Sequence, residues 1–219
     1  MDRKFRLARL WSNDELRKIG GLFDGKVVNV SAGENVDKEG ATYDAYFPQA
    51  AEFWITNHAP GLFRGYSGRS NELLLDLRQP IGTEFASSFD VVFNHTVLEH
   101  VFEIQTAFSN LCQMSRDIVI VVVPFAQAEH ENAGYQDYWR FTPGCLRWLF
   151  ESNGLDVVYE AESPHRDAAI YLFFVGSRHP DRWRDRMPSY EKVENAGAWI
   201  GTPISFLQKL KNGIEKVLG

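Results

Sequence analysis

Residues 117–123 read Asp-Ile-Val-Ile-Val-Val-Val, so six β-branched apolar side chains follow one another without interruption. β-branched residues favour strands, and a continuous apolar run is typical of a strand whose two faces are both buried. Strands of that kind occur in parallel sheets that helices cover on each side. This segment therefore predicts an α/β domain.

Weaker strand patterns surround this segment and alternate with helical patterns. The first helix is predicted from Ser12 to about Gly25, because Glu15 stands three residues after Ser12 in the arrangement of a capping box. The alternation predicts a Rossmann-like, doubly wound, mostly parallel seven-stranded sheet with helices on both faces. The predicted strands are Lys26–Ser31, Phe53–Thr56, Leu73–Leu77, Phe89–Phe93, Asp117–Val123, Val157–Glu160 and Ile170–Gly176, and the further predicted helices are Thr96–Met114 and Thr142–Gly154.

The composition limits the classes of protein that fit. Of the 219 residues 44% are hydrophobic and 14% aromatic, which is enough for a buried core, and the net charge of −6 does not indicate a nucleic-acid partner. Cys112 and Cys145 form no Cys-x-x-Cys motif, so neither a zinc ribbon nor a disulfide scaffold is indicated. No apolar run approaches the roughly 20 residues of a transmembrane segment. We expect a soluble, cytoplasmic protein.

The C-terminal residues differ in pattern from the rest of the chain. We expect one domain over residues 1–178 and an extension over residues 179–219. A helix over residues 203–218 would carry an apolar stripe beside three lysines, and such a helix either docks on the domain or meets a protein partner, a second copy or a membrane surface. The residues of the stripe are Ile204, Leu207, Leu210, Ile214 and Val217.

Two further segments carry a resemblance to a known superfamily. Residues 89–101 read Phe-Asp-Val-Val-Phe-Asn-His-Thr-Val-Leu-Glu-His-Val, which resembles the fourth-strand segment of class I S-adenosylmethionine-dependent methyltransferases. Residues 137–143, Asp-Tyr-Trp-Arg-Phe-Thr-Pro, resemble a signature of one branch whose members often accompany glycosyltransferases in surface-polysaccharide pathways. The resemblance covers about residues 27–176. It implies S-adenosylmethionine as cofactor and a small-molecule or glycan hydroxyl as methyl acceptor.

The donor site implied by this resemblance departs from the usual pattern. Such a donor needs a tight turn after the first strand, and the family usually has an acid where Asn29 stands and glycine where Ser31 stands. A left-handed Ser31 would carry strain of about 1–3 kcal/mol. Asn57 replaces the acid that usually holds the ribose, whereas Asp76 matches the acid near the adenine or serves only as a turn former. The implied donor-binding residues are Asn29, Ser31, Ala32, Gly33, Glu34, Asn57, Asp76, Leu77, Asn94 and His95.

The acceptor side is expected after the fourth and fifth strands. A hydroxyl acceptor needs a base, and a histidine suits that task, so His130 is the first candidate and His100 the second. Arg140 is a candidate for binding an anionic group, and Glu99 lines the same cleft. The alternative is that these residues only cap a helix or pack a loop. No metal is expected, because Thr96 replaces the first glutamate of the Glu-x-x-Glu-His metal pattern of some related O-methyltransferases.

Two other functions stay open. Loss of the usual acids and glycine fits an inactive, methyltransferase-like binding or scaffold subunit that works with a glycosyltransferase or another partner. A nucleotide-sugar binder on the same scaffold is the third alternative.

Overall fold

The computed structural model describes residues 3–59, 65–132, 134–165, 167–200, 210 and 214 of the chain. They form a seven-stranded sheet in the order β3-β2-β1-β4-β5-β7-β6, in which β7 alone runs antiparallel to its neighbours. This confirms the predicted Rossmann-like α/β fold. The strands are β1 Gly25–Val30, β2 Ala50–Asn57, β3 Glu72–Leu74, β4 Phe89–His95, β5 Ser115–Ala126, β6 Asp156–Glu162 and β7 Ile170–Ser177, and the helices are α1 Arg3–Ile19, α2 Ile104–Met114, α3 Pro143–Ser152 and α4 Pro180–Trp183.

The sheet separates two apolar cores. On one face, α2 and α3 pack Phe108, Leu111, Leu146 and Phe150 against the strands. The other face is covered by α1, by α4 and by a short 3-10 helix at Tyr43–Tyr46. The side chains of residues 118–123 in β5 are fully buried, as their continuous apolar pattern predicts.

The prediction that the first helix begins at Ser12 is wrong. α1 begins at Arg3, because Leu7, Ala8 and Trp11 add a further buried stretch to its inner face. Ser12 lies inside the helix, where its Oγ donates to the Arg9 carbonyl at 2.8 Å and lies 2.8 Å from His95 Nε2. A buried histidine therefore uses the hydroxyl that the sequence assigned to a helix cap.

The predicted helix Thr96–Met114 is also wrong in its first third. Thr96 has a φ of 50°, a left-handed conformation that an α-helix cannot contain. Its amide donates to the Val122 carbonyl at 2.8 Å, so the chain stays close to β5 as it leaves β4. A single 3-10 turn at Leu98–His100 follows, and α2 starts only at Ile104.

The predicted third strand is too long, because β3 ends at Leu74 and leaves Asp76 and Leu77 in the loop that follows. The connection from β1 to β2 contains only the 3-10 helix and no α-helix. Apart from Leu210 and Ile214, the predicted helix at 203–218 lies outside the described residues. Within the described part of the chain no helix has the length and apolar character needed to cross a membrane.

Candidate active site

The turn after β1 lies where the order of the strands reverses between β1 and β4. Ligands of open α/β sheets bind at such a switch point, beyond the carboxyl ends of the strands. Ser31 and Gly33 both adopt left-handed backbone, with φ of 58° and 59°. Thr56 of β2 accepts two bonds from the turn, from Ser31 N to Thr56 Oγ1 at 3.1 Å and from Ala32 N to the Thr56 carbonyl at 3.0 Å. A serine thus occupies the geometry that glycine usually supplies.

Asn57 is bonded to this turn. Its Oδ1 accepts from Gly33 N at 2.7 Å, and its Nδ2 donates to the Gly33 carbonyl at 3.0 Å and to Glu72 Oε1 at 2.6 Å. The amide is buried, so the position expected to hold a ribose is filled by contacts within the protein.

Glu72 accepts a hydrogen bond from the Asn57 amide and was not predicted from the sequence. Burial by itself would raise the pKa of this carboxyl, but hydrogen bonds from Asn57, Arg69 and Ser67 outweigh it and lower the pKa to about 2. A charged carboxylate at the start of β3 therefore holds the Asn57 amide in place. Glu34, the other acid near this turn, is exposed and pairs with Arg69.

Asn29 is likewise held within the loop. Its Nδ2 donates to Asn35 Oδ1 at 2.9 Å, and Asn35 Nδ2 donates to Asp44 Oδ1 at 3.2 Å. This chain of bonds links β1 to the 3-10 helix of the β1–β2 connection, and Asn35 has the left-handed φ of 58° that asparagine tolerates.

Asn94 is the penultimate residue of β4 and pairs with Val30 at the end of β1. Its Nδ2 donates to the Val30 carbonyl at 3.0 Å, which joins the two strands at the switch point. Its Oδ1 is buried and has no hydrogen-bond partner. A buried acceptor without a donor is costly, so this atom indicates a place where a ligand or a water donates.

Asp76 and Leu77 lie in the loop after β3. Arg78 contacts both carboxylate oxygens of Asp76, and these bonds, the largest influence on it, lower the pKa of Asp76. Leu77 is buried, and its carbonyl accepts from Asn110 Nδ2 at 3.0 Å.

His95 faces α1. Besides Ser12, it lies 3.3 Å from Arg9 NH1 and 3.2 Å from Thr96 Oγ1. Burial, followed by the charge of Arg9, places the pKa of His95 well below its usual value. Arg9 was not identified from the sequence, because no pattern shows that a residue so far along the chain reaches the end of β4.

Three of the residues predicted for the acceptor side lie close together. One ligand atom from each of Glu99, His100 and His130 lies within 4.8 Å of the others. Glu99 is fully buried, neither of its carboxylate oxygens has a hydrogen-bond partner, and burial raises its pKa to about 7. His100 and His130 are in ring contact, with centroids 4.9 Å apart.

The nitrogen atoms of His100 have distinct environments. Nδ1 donates to the Gln136 carbonyl at 2.6 Å, while Nε2 lies 3.8 Å from Glu99 Oε1. Burial lowers the pKa of His100 to about 4, so its ring is neutral at pH 7.

The Arg140 side chain forms hydrogen bonds within the loop after β5. It forms two bonds of 2.6 Å to the carboxylate of Asp137 and also donates to the Gln127 carbonyl. Asp137 in turn accepts from His130 N at 2.9 Å and lies 3.1 Å from His130 Nδ1. Desolvation opposes the charge of Asp137, but the bonds from Arg140 and His130 lower its pKa to about 2. The sequence did not assign Asp137 a role.

The sequence matches no protein-family model and no curated protein sequence. Solved structures do match it in fold. Magnesium protoporphyrin IX methyltransferase from Synechocystis PCC 6803, with bound S-adenosylmethionine, superposes with a TM-score of 0.53 at 15% identity over 79% of each chain.

A second structure is similar to the same degree. The 1,6-didemethyltoxoflavin-N1-methyltransferase of Burkholderia thailandensis, with bound 1,6-didemethyltoxoflavin and S-adenosylhomocysteine, has a TM-score of 0.51 and 15% identity over 77% of this chain and 80% of that one. Identity at this level shows the fold and leaves the reaction open. This chain has the Rossmann-like fold that these S-adenosylmethionine-dependent methyltransferases share.

Proposed function

We propose that this protein is an S-adenosylmethionine-dependent methyltransferase that acts on a hydroxyl of a small molecule or glycan. The observation that carries the proposal is the unpartnered Oδ1 of Asn94 at the switch point between β1 and β4. It lies at the edge of the sheet where this architecture binds ligands, and the donor offers an ammonium group that such an acceptor suits. The two fold neighbours described above hold this donor or its demethylated product.

The residues present fit the donor in part. Asn94 Oδ1 would accept from its amino group, and the left-handed turn at Ser31 and Gly33 would let it approach the backbone closely. Asp76 provides a carboxylate that would face the adenine of the donor. Asn57 does not fit a ribose contact while its amide is bonded to Gly33 and Glu72.

When bound, S-adenosylmethionine supplies an electrophilic methyl group on a sulfonium centre. The chain then has to align the acceptor and receive its proton. His130 follows β5, near the neutral His100 and the buried Glu99, and is our candidate for the group that receives the proton. The carboxylate of Asp137 beside His130 Nδ1 would orient that ring. Glu99 and His100 would line the acceptor side beside it.

Calorimetric titration with S-adenosylmethionine and S-adenosylhomocysteine tests the proposal. We expect Asn94→Ala to weaken binding roughly 10- to 100-fold, since a hydrogen bond to a charged group is worth about 1.5–3 kcal/mol. Asn153→Ala is the matched control: its amide also donates to one backbone carbonyl, of Leu149, but at the end of α3. No binding of either ligand to the wild-type protein at millimolar concentration would reject the enzyme function, and equal affinity in both variants would reject the role of Asn94.

A non-catalytic binding or scaffold subunit is the second candidate. The bonds from Asn57 to Gly33 and Glu72 favour it, because they hold the ribose position closed with residues of the protein itself. This alternative predicts a folded protein that responds to neither donor ligand. Its partner would then be a protein such as a glycosyltransferase, and the extension after residue 178 is the segment that we would expect to meet it.

A further inference from the structure

The acceptor-side cluster contains a buried carboxylate that lacks a partner. Glu99 is 0% exposed, and both of its oxygens are without a hydrogen bond. Burying an isolated carboxylate is unfavourable unless a cation or several donors compensate it. Arg9 and Arg140 act on this carboxyl through their charge, yet neither donates a hydrogen bond to its oxygens.

Two imidazoles lie beside this carboxylate. His100 Nε2 is 3.8 Å from Glu99 Oε1, and the three ligand atoms of Glu99, His100 and His130 all lie within 4.8 Å of one another. Metal–ligand bonds of about 2.0–2.2 Å in tetrahedral geometry place two donor atoms of one ion roughly 3.3–3.6 Å apart. Side-chain movements of about 1 Å would bring all three atoms into one coordination sphere.

We propose that Glu99, His100 and His130 bind one divalent transition-metal ion of the zinc or cobalt type. A set of two imidazoles and one carboxylate suits these ions better than it suits magnesium or calcium, which prefer oxygen ligands alone. Three protein ligands leave a coordination position for an oxygen atom from outside the protein. The expected exogenous ligand is therefore a hydroxyl or carboxylate oxygen of a small molecule.

The surroundings of His100 support this assignment. A metal-bound histidine usually donates its other ring nitrogen to a carbonyl or carboxylate, which fixes its tautomer and orientation. His100 Nδ1 donates to the Gln136 carbonyl at 2.6 Å, so Nε2 is the atom left to face Glu99. His130 Nδ1 lies 2.6 Å from Gln127 Nε2 and 3.1 Å from the carboxylate of Asp137, so both side chains position its ring.

The backbone holds the two ligand-bearing segments together. The Glu99 carbonyl accepts from Tyr138 N at 2.8 Å and from Trp139 N at 3.2 Å, and His130 N donates to Asp137 at 2.9 Å. The turn after β4 and the loop after β5 are thus bonded to each other through groups that are not ligands. The site is preformed, and a metal has little chain to order when it binds.

Sequence spacing alone did not predict this site. His95, the histidine nearest to His100 in the sequence, faces Ser12 and Arg9 instead. The third ligand comes from His130, in another loop. Metal binding is measured directly and is therefore tested separately from methyl transfer. A metal-bound His130 cannot also receive the proton of an acceptor, so the two roles proposed for His130 exclude each other.

The test uses the full chain after removal of metal with a chelator. We expect the wild-type protein to bind one Co²⁺ and to show the visible d–d absorption that is typical of four- or five-coordinate cobalt. Calorimetry should show that it binds one Zn²⁺. Glu99→Gln, which keeps the shape of the side chain, and His130→Gln should each weaken binding at least 10-fold. His179→Gln is the matched control, because His179 precedes α4 at the opposite edge of the sheet and should leave affinity unchanged.

Asp137→Asn tests whether Asp137 orients His130 as a metal ligand. We expect this variant to bind the metal about 10-fold more weakly. Circular dichroism checks that each variant is folded. Absence of stoichiometric binding to wild type, or wild-type affinity in folded Glu99→Gln, overturns the proposal. Titration with S-adenosylmethionine in the same samples separates the two hypotheses, because donor binding without metal binding rejects the metal site alone.

Discussion

At the scale of single residues, the turn after β1, where we propose that the donor binds, contains side chains in conformations or pairings that their residue type does not favour. Ser31 adopts a left-handed φ, as the motif comparison anticipated conditionally, and it does so because the turn is bonded to Thr56 on both sides. The sequence predicts Gly33 and Asn57 as members of one donor site. It does not show that Asn57 would bond to Gly33, because the buried Glu72 that orients it gives no local signal.

Replacing Ser31 with glycine tests this strain. A left-handed non-glycine residue destabilises the folded state by about 1–2 kcal/mol. Glycine removes this strain, but its greater freedom in the unfolded chain offsets about 0.5–1 kcal/mol of the gain. We therefore expect Ser31→Gly to raise the free energy of unfolding by about 0.5–1 kcal/mol in urea titrations. Ser87→Gly is the control, since Ser87 has a φ of 49° in a turn that precedes β4. A loss of stability in Ser31→Gly, with a gain in Ser87→Gly, would show that the hydroxyl of Ser31 has a role of its own.

At the scale of elements, every predicted strand and every predicted helix within the described residues exists, and the errors concern where these elements begin and end. Propensity placed a cap at Ser12 and a long helix from Thr96, whereas burial of His95 against α1 and the close path along β5 determine the real boundaries. These are contacts between segments distant in sequence, so a local pattern could not reveal them. For the same reason the sequence suggested Arg140 as a candidate acceptor-side residue but did not show that it bonds to Asp137.

Another tertiary contact holds the segment after α4 to the domain. Glu160 of β6 is buried and accepts from Arg147 Nε at 3.0 Å, from Arg147 NH2 at 2.6 Å and from Val193 N at 2.8 Å. Arg147 NH2 also donates to the Val193 carbonyl at 2.8 Å. The pair therefore joins α3, β6 and residues near Val193.

Arg147→Met should destabilise the protein by roughly 3 kcal/mol, because it leaves the Glu160 carboxylate buried without its cation. Urea unfolding measures the loss, and limited proteolysis near Val193 should accelerate. The double variant Arg147→Met with Glu160→Met should recover most of the stability. If the double variant is as unstable as the single one, packing rather than the charge pair explains the loss.

At the scale of the whole molecule, the apolar run in β5 was sufficient to predict the fold class, and the order of the strands then favours a ligand site at the junction of β1 and β4. What the sequence could not supply is the network of charges around that junction. Those charges make the free energy of unfolding depend on pH, and the direction of the dependence follows from the pKa of Glu72.

Glu72 has a folded-state pKa of about 2, below its usual value of 4.5, so its ionised form stabilises the fold. That stabilisation is present above about pH 4.5 and is lost as the pH falls toward 2. We expect Glu72→Gln to lower the free energy of unfolding at pH 7 by roughly 1.5–3 kcal/mol, in line with loss of hydrogen bonds to a charged group. The gap between variant and wild type should close in acid. The exposed Glu151→Gln is the control, and a gap that persists unchanged to pH 2.5 would contradict the argument.

The pairing of β1 with β4 also bears on the order in which the protein folds. The bond from Asn94 to Val30 spans 64 positions of the chain, whereas β6 and β7 are consecutive strands of one antiparallel pair next to β5. Chain entropy delays contacts between distant segments until nearer ones have formed. We expect the C-terminal half to form the folding nucleus and the β1–β4 junction to close late. The edge proposed to bind the donor is then the part of the molecule that opens first when the native state fluctuates, and a ligand bound there would slow that opening.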